Sequence, residues 1–344
     1  MGKPCQSNVI KHSATFESND PAFAGEMTMT WAFQPASRGT DVAITADNFP
    51  PGIRKVDHDA GLKSSLDHLA VLHDAWRLHP LAWIHRSEAR GIAGELRRSG
   101  HVVRRFTFAR SGVADSLAGR RILRLSDPVM FEAVEALSSA GVPYVGPGFE
   151  AMKRCYDKYA ATRLLAEVGF KCPETELGTE ADRVDFPVVV KPRWGSDSIG
   201  LRHYAHGPVP ASKRNERYIV QRYVRGADIT IGVLRGQAGA PLHIGIPDGA
   251  LYTFARKYVL RPRIVPVAEE RLAARVRDEA LRIALALGVD WAARIDFIHE
   301  PEADRIYFLE CDVAPLVGRG SAFDTSFKAA GLARSELMKY LFYR

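Results

Sequence analysis

Cysteine is scarce, four in 344 residues, and Cys5, Cys155, Cys172 and Cys311 show neither CxxC pairing nor metal-ligand spacing. That argues against a disulfide scaffold and for a reduced compartment, and none of the four reads as a nucleophile. No run of about 18 apolar residues exists, and the opening MGKPCQSNVIKHS has no apolar signal core, so a cytoplasmic protein with no membrane segment is expected. Blocks of like charge are missing too. The formal charge of +7 and a pI near 9.2 admit nucleic acid, but Lys and Arg are scattered among Asp and Glu and are not interleaved with aromatics. An anionic small molecule accounts for positive clefts equally well, and no nucleic-acid partner is expected. His68, His73, His79 and His85 lack the carboxylate or cysteine spacing of a metal site. What is present is ordinary globular composition, 46% hydrophobic, in a length that suggests about two or three domains.

Residues 1 to about 72 show no sustained period and read as a partly ordered extension, with apolar spacing over Leu66–Leu78 (LDHLAVLHDAWRL) that predicts a docking helix. From Pro80 strands and helices alternate. Leu81–Ile84 reads as a strand, Ser87 as the cap of a helix through Arg98, and His101–Phe108 as the next strand. Ile122–Leu125, a helix opened by Asp127-Pro128 and Val142–Val145 complete a small doubly wound α/β domain ending near Gly148. Asp157 stands at a helix N-cap and puts Lys158 in the first turn, where a cation opposes the helix dipole unless it reaches an anion shared with the helix amides.

Phe186–Leu201 (FPVVVKPRWGSDSIG and Leu201) reads as a phosphate grip. An apolar β-branched run ends in Lys191, and Gly195, Ser196, Ser198 and Gly200 follow in a loop whose amides can approach phosphate closely. A surface hairpin with a chance lysine is the bland reading. Tyr218–Val220 and Ile229–Leu234 read as strands around a short hinge, Gln221 to Asp228, suited to a flat base with a carboxylate near sugar hydroxyls. Lys257 in YTFARKY is a third candidate phosphate cation, and Glu270–Leu287 is an amphipathic helix closed by Gly288.

The carboxyl-terminal part carries the densest chemistry. Trp291–Phe297 and Ile306–Asp312 read as a hairpin. Alternation puts Arg294 and Asp296 on one face of the first strand and Glu310 and Asp312 on one face of the second. Pairing Ile298 with Ile306 sets Arg294 across from Glu310. Three carboxylates and one arginine on a half-buried sheet need neutralisation, which magnesium carrying nucleotide phosphates would provide; an ion-pair ladder on a wet sheet face is the alternative.

Together these segments resemble the ATP-grasp enzymes, and among them the D-alanine–D-alanine ligases. The likeness runs from about Ser87 to the carboxyl terminus and is carried by DKYAATRLLAEVGFKCPET, VVVKPRWGSDSIG, VQRYVRGADIT with FARKY, and ARIDF followed by LECDVAPLVGRGSAF. It implies an α/β (α+β) ATP-grasp fold, in which an extension (1–79) and a small doubly wound α/β domain (80–155) precede two α+β subdomains (156–235 and 236–344) that clamp ATP. It further implies that Lys158, Lys191 and Lys257, with Ser196 and Ser198, meet the phosphates, that Gln221 and the main chain of Tyr223 and Val224 hold adenine, and that Asp228 binds ribose. Asp296, Glu310 and Asp312 would hold two Mg2+ ions, Mn2+ being the other ion admitted. Arg294, Lys257 and Ser321 would be catalytic, with Arg294 and the Leu316 N–H on the oxyanion and Ser321 on the second substrate's carboxylate.

Several positions depart from that pattern. Asp312 stands where asparagine is usual, Leu316 where glycine is, and Asp197 near a usual serine. The amino-terminal His-Glu-Val-Ser signature and the His-Gly loop with its Gly-Glu-Asp-Gly run are missing, with HRSEAR and LRLSDPVM in their places. The expectation is therefore an ATP-dependent carboxylate-amine ligase that makes an amide through an acyl phosphate, on amino-acid substrates of specialised metabolism. The alternatives are a cell-wall D-alanine–D-alanine ligase and a nucleotide-binding pseudoenzyme. The partners expected are a small carboxylate and a small amine; a homodimer stays open. Glu88 or His85 is the candidate for the first substrate's amine, and Arg319 for an additional acidic group.

Overall fold

The run LAVLH is too short for its period to separate helix from strand. In the structure, a computed structural model, it is a strand. The structure describes the chain outside residues 1–7, 17–19, 23, 37–38, 49, 53, 55–68, 74–81, 102, 108–120, 126, 196–197, 248, 254, 261 and 343–344. Two units divide it, Met1–His68 and Leu69–Arg344.

The first unit holds β1 (Asn8–Phe16), β2 (Gly25–Ala36) and β3 (Gly39–Asp47) in one antiparallel sheet with β2 central. Its register runs from Asn8↔Phe33 to Phe16↔Gly25 and from Thr28↔Asp47 to Ala36↔Gly39. These three strands were not legible in the sequence.

The second unit opens with β4 (Leu69–His73), a strand in the middle of the helix expected over Leu66–Leu78, whose two ends lie outside the described residues. It lies inside a four-stranded parallel sheet with β5 (Val103–Thr107), β6 (Arg121–Arg124) and β7 (Tyr144–Val145), in the order β5-β4-β6-β7. Interior parallel strands read as plain apolar runs, which is why the four apolar residues before His73 passed for a helix turn. Of the strand expected at Leu81–Ile84, Leu81 lies outside the described residues and the rest starts α1 (Ala82–Arg98), whose Ala89, Ile92, Ala93 and Leu96 form one fully buried stripe at helical spacing. Helix α2 (Asp127–Ser139) buries Met130, Ala133 and Val134, and α3 (Phe149–Tyr156) leads into α4 (Lys158–Glu167).

Two antiparallel sheets follow. The first, in the order β10-β9-β11-β8, contains β8 (Thr175–Leu177), β9 (Val188–Pro192), β10 (Arg202–Tyr204) and β11 (Tyr218–Arg222). The second, in the order β15-β14-β12-β16-β17, contains β12 (Ala227–Leu234), β13 (Gln237–Ala238, beside β12), β14 (Leu242–Ile244), β15 (Ile264–Pro266), β16 (Ala292–Glu300) and β17 (Arg305–Asp312). Helix α5 (Glu270–Leu287) buries Leu272, Val276, Ala280, Ile283 and Leu287 in the same core as Ile231, Ile295, Phe297 and Phe308, and Gly288 ends it at φ +71°. Helices α6 (Ala322–Ala329) and α7 (Arg334–Phe342) share a second core with α1 through Phe323, Phe327 and Leu341. Among the described residues no helix is long and apolar enough to cross a membrane.

Candidate active site

Strand β9 delivers Lys191 from a buried run. Val188 and Val190 are almost fully enclosed, and Lys191 itself is only 8% exposed. Burial pushes its ammonium from the ordinary 10.5 down to about 8; Glu310 and Asp296 work against that, and Lys158 and Lys257 add to it. The chain then turns through positive φ at Gly195, Ser198 and Gly200. Ser196 and Asp197 lie outside the described residues. Ser198 Oγ donates to Tyr252 O at 2.8 Å, fixing the loop to the segment before Lys257. Lys158 Nζ donates to Gly195 O. Asp157 caps α4 by accepting from Tyr159 N and Ala160 N, both at 3.1 Å, and pairs with Arg193 Nη2 at 2.6 Å. The N-cap read in the sequence is thus also the tie that holds Lys158 against the loop after β9. Lys257 sits in a wide helical turn over Arg256–Leu260, its Nζ 5.1 Å from the Tyr252 ring centre.

Across from the lysines, the cleft faces of β12, β16 and β17 carry Asp228, Thr230, Arg294, Asp296, Glu310 and Asp312. The register is Arg294↔Asp312 and Asp296↔Glu310, with Ile298↔Tyr307. The expected Arg294–Glu310 pairing is therefore off by two residues, one because Ile298 pairs with Tyr307 in place of Ile306 and the other because of a bulge. Phe297 pairs with Phe308 but Asp296 with Glu310, so Leu309 is an extra residue. Without it, alternation from the buried Phe308 would send Glu310 and Asp312 into the core. With it, Cys311 packs inward and both acids face the cleft.

Arg294 binds this acidic set together, with Nε 3.1 Å from Asp296, and Nη2 3.9 Å from Glu310 and 3.6 Å from Asp312. Thr230 Oγ1 donates to Asp296 Oδ1 at 2.6 Å, a contact the sequence reading missed although the alternation Asp228, Thr230 pointed to it. Burial tends to raise the Glu310 carboxyl, but Lys257, Lys158, Lys191 and Arg294 outweigh it and hold the group well below the usual carboxylate range. Asp228 behaves in the opposite way: burial, with Asp296 nearby, pushes it up to about 7. Among the described residues no three His, Cys, Asp or Glu side chains converge into a ready-made metal cage. Three hard carboxylates on one face nonetheless suit Mg2+, which takes one or two carboxylates and completes its shell with phosphate and water.

The hinge between β11 and β12 lines the same cleft. Gln221 is 3% exposed, and its Nε2 donates to Thr175 Oγ1 at 2.8 Å. Tyr223 N donates to Pro187 O at 2.8 Å. Val224, Ile298 and Tyr307 form an apolar cluster with Leu309 against it, and a Cβ on Gly226 would stand 2.2 Å from His299 O. The cavity lined by Gln221, Tyr223, Val224, Gly226, Ile298 and Leu309 also touches Lys158, Lys191, Ser198, Asp228, Lys257, Asp296 and Glu310.

A second cavity, lined by His85, Lys158, Arg294, Glu310, Asp312 and Leu316, adjoins it. A third opens outward past Arg294, Asp296, Lys257, Leu316, Arg319 and Ser321. Ser321 caps α6, its Oγ accepting from Asp324 N at 3.1 Å. Glu88 is not poised for a substrate amine: its carboxylate is taken by Arg124 Nη2 at 2.6 Å and by the amides of Val317 and Gly318. Cys172 is pushed up to about 12 by burial, and Cys311 is raised by its hydrogen bond to Cys155 and by burial, so both are held as thiols.

The family model described as D-ala D-ala ligase C-terminus matches residues 165–343, more than half of the chain. The chain belongs to that family. This D-Ala-D-Ala ligase-like protein has the ATP-grasp fold and is an ATP-dependent ligase that forms a C–N bond. The D-alanine–D-alanine ligase of Syntrophotalea carbinolica is 29% identical over 220 residues, 59% of this chain and 70% of that protein. Among solved structures, the D-alanine–D-alanine ligase from Bacillus anthracis complexed with ATP has a TM-score of 0.67 at 18% identity, covering 80% of this chain and 95% of that one. The VanG D-Ala:D-Ser ligase from Enterococcus faecalis has a TM-score of 0.63 at 16% identity, covering 80% and 98%. Residues 8–74 match a different model, described as Activator of Hsp90 ATPase homolog 1-like protein.

Proposed function

We propose that this ligase joins two small amino acids, D-alanine first among them, by activating one carboxylate with ATP and passing the acyl group to the amine of the other. The observation that carries the reading is the facing of Lys158, Lys191 and Lys257 against Asp296, Glu310 and Asp312 across one cleft, with Arg294 where that cleft meets the outer cavity. Because β12 pairs with β14 and β16, the two subdomains that would close on the nucleotide, behind the α/β domain, divide at the hinge before Ala227 and not at the expected residue 235. Adenine lies against Val224, Ile298 and Leu309 beside Gln221; because Tyr223 N is engaged by Pro187 O, the hinge amide that reads the base is that of Val224. Asp228 takes the ribose hydroxyls. The three ammonium groups and the loop after β9 hold the phosphates, and Asp296, Glu310 and Asp312 would hold Mg2+. When bound, the metal supplies positive charge that offsets the phosphate oxygens.

The first substrate's carboxylate oxygen attacks the γ-phosphorus and ADP departs, leaving an acyl phosphate. The amine of the second substrate attacks the acyl carbon, loses a proton, and phosphate leaves, giving the amide. Arg294 and the Leu316 N–H face the oxygen that becomes negative in this step, and single donors of this kind contribute about 3–4 kcal/mol. Ser321 accepts from Asp324 N, so its O–H proton can be donated to the second carboxylate. A second reading, an acidic second substrate, is favoured by Arg90 in the outer cavity, where Arg319 is already paired with Glu95 at 3.1 Å. Phosphate release and product mass with ATP, Mg2+ and a panel of D-alanine, D-serine, L-alanine and D-glutamate test both. D-alanyl-D-alanine as the main product supports the first reading; a product only with D-glutamate replaces it with the second, and none with any amine refutes both.

A further inference from the structure

The buried pair between α1 and β6 does something that packing alone does not require. Arg124 is fully enclosed and the Glu88 side chain is 5% exposed, and the residues that follow Glu88 and precede Arg124 in the chain, Ala89 and Leu123, are fully buried. A buried ion pair is weak evidence for stability, because apolar residues of similar volume often serve as well. What apolar residues cannot do is hold backbone in a set direction. Glu88 Oε2 accepts from Arg124 Nε at 2.7 Å, while its Oε1 accepts from Val317 N and from Gly318 N, the latter at 2.7 Å. Arg124 Nη2 also donates to Pro315 O at 2.6 Å. The pair thus grips the chain on both sides of Leu316, the residue that lines both the inner and the outer cavity beside Arg294. Arg334 adds a tie on the other side of Val317, donating to its carbonyl at 2.7 Å, and reaches the far end of the loop through Asp324, whose Oδ1 accepts from it at 3.0 Å and whose Oδ2 accepts from Gly320 N at 2.8 Å.

We propose that Glu88 and Arg124 are positioning residues for ligation: they fix the Pro315–Gly318 backbone, and with it the wall that sets the second substrate against Arg294. The proposal rests on the ligase reading above. It assigns to this pair no contact with ATP, so its loss acts on turnover and on the second substrate, and misplacement by about 1 Å is enough to lower a rate about 100-fold.

Two double replacements test it without stranding a buried charge. Glu88→Gln with Arg124→Met keeps an oxygen able to accept from the Val317 and Gly318 amides, whereas Glu88→Leu with Arg124→Met removes it. At matched ATP affinity, kcat of the leucine form is expected to fall at least about tenfold below that of the glutamine form, with a raised KM for the second substrate. Equal kcat in the two overturns the proposal. If neither folds, Gly318→Ala serves, since its Cβ would press on Glu88 Cγ at 3.3 Å with the ion pair intact; unchanged kcat and KM there also overturn it. Should the unaltered protein turn over no amine, the ligase reading fails, and amide hydrogen exchange decides the pair's role by itself. Faster exchange at Val317 and Gly318 in the leucine form supports positioning; equal rates refute it.

Discussion

In the proposed site, Lys191 makes nucleotide binding a proton-uptake reaction. Its burial holds the ammonium at about 8 in the free protein, and a polyanion seated among Lys158, Lys191 and Lys257 reverses that depression by bringing negative charge beside it. The bound form then holds more protons than the free form. Affinity is therefore full below about pH 8 and falls by up to tenfold per pH unit above it, until the bound-state value is reached. At about pH 8.5 a group titrating at about 8 is about one quarter protonated, so binding takes up as much as about three quarters of a proton, against about a tenth at pH 7. Titration calorimetry of Mg-ATP binding in two buffers of different ionisation enthalpy reads this number directly. In Lys191→Met the uptake is expected to vanish. ATP binding with no uptake at about pH 8.5 in the unaltered protein refutes the reasoning, because Lys191 would then not face the phosphates.

Arg294→Met leaves three carboxylates without the cation they share, and loss of one partner of a buried set costs about 3–5 kcal/mol; an unchanged urea midpoint would show that Arg294 does not hold them. Gly226→Ala brings a Cβ to 2.2 Å from the His299 carbonyl, and accommodating such overpacking costs about 1–3 kcal/mol, read as weaker ATP binding with secondary structure kept. Undiminished ATP affinity would remove the hinge from the base site. Asp228 titrates at about 7 in the folded protein against an ordinary 3.8, so the folded state holds the extra proton between those values and stability falls as pH rises through them. The gain in Tm from Asp228→Asn is accordingly larger at about pH 8 than at about pH 4, and equal gains contradict that assignment.

The parts legible in the sequence were those where local chemistry and period agreed. Asp157 as N-cap, the strand ending in Lys191 and helix α5 with Gly288 behind it each follow from a few adjacent residues, and each is present. Where a run was short and largely apolar the period was silent, so Leu69–His73 and Ala82–Ile84 exchanged helix and strand. The acidic face was found for an incomplete reason: the acids do share the cleft, but only because Leu309 interrupts the alternation, and no pattern in IYFLECD announces a bulge. Glu88, Arg124 and Arg334 were out of reach for a different reason. Their partners lie far along the chain, Arg124 with Pro315 and Glu88 with Gly318, and such pairings are set by how α1 and β6 meet the segment after β17.

The central claim is that a carboxylate is activated by phosphoryl transfer in the cleft between the lysines and the acids. D-alanine labelled with 18O in its carboxylate, turned over with ATP and Mg2+, tests it most directly, with mass spectrometry of the released phosphate. Transfer of one labelled oxygen to phosphate for each amide formed is the predicted result. Amide formation with unlabelled phosphate would contradict it.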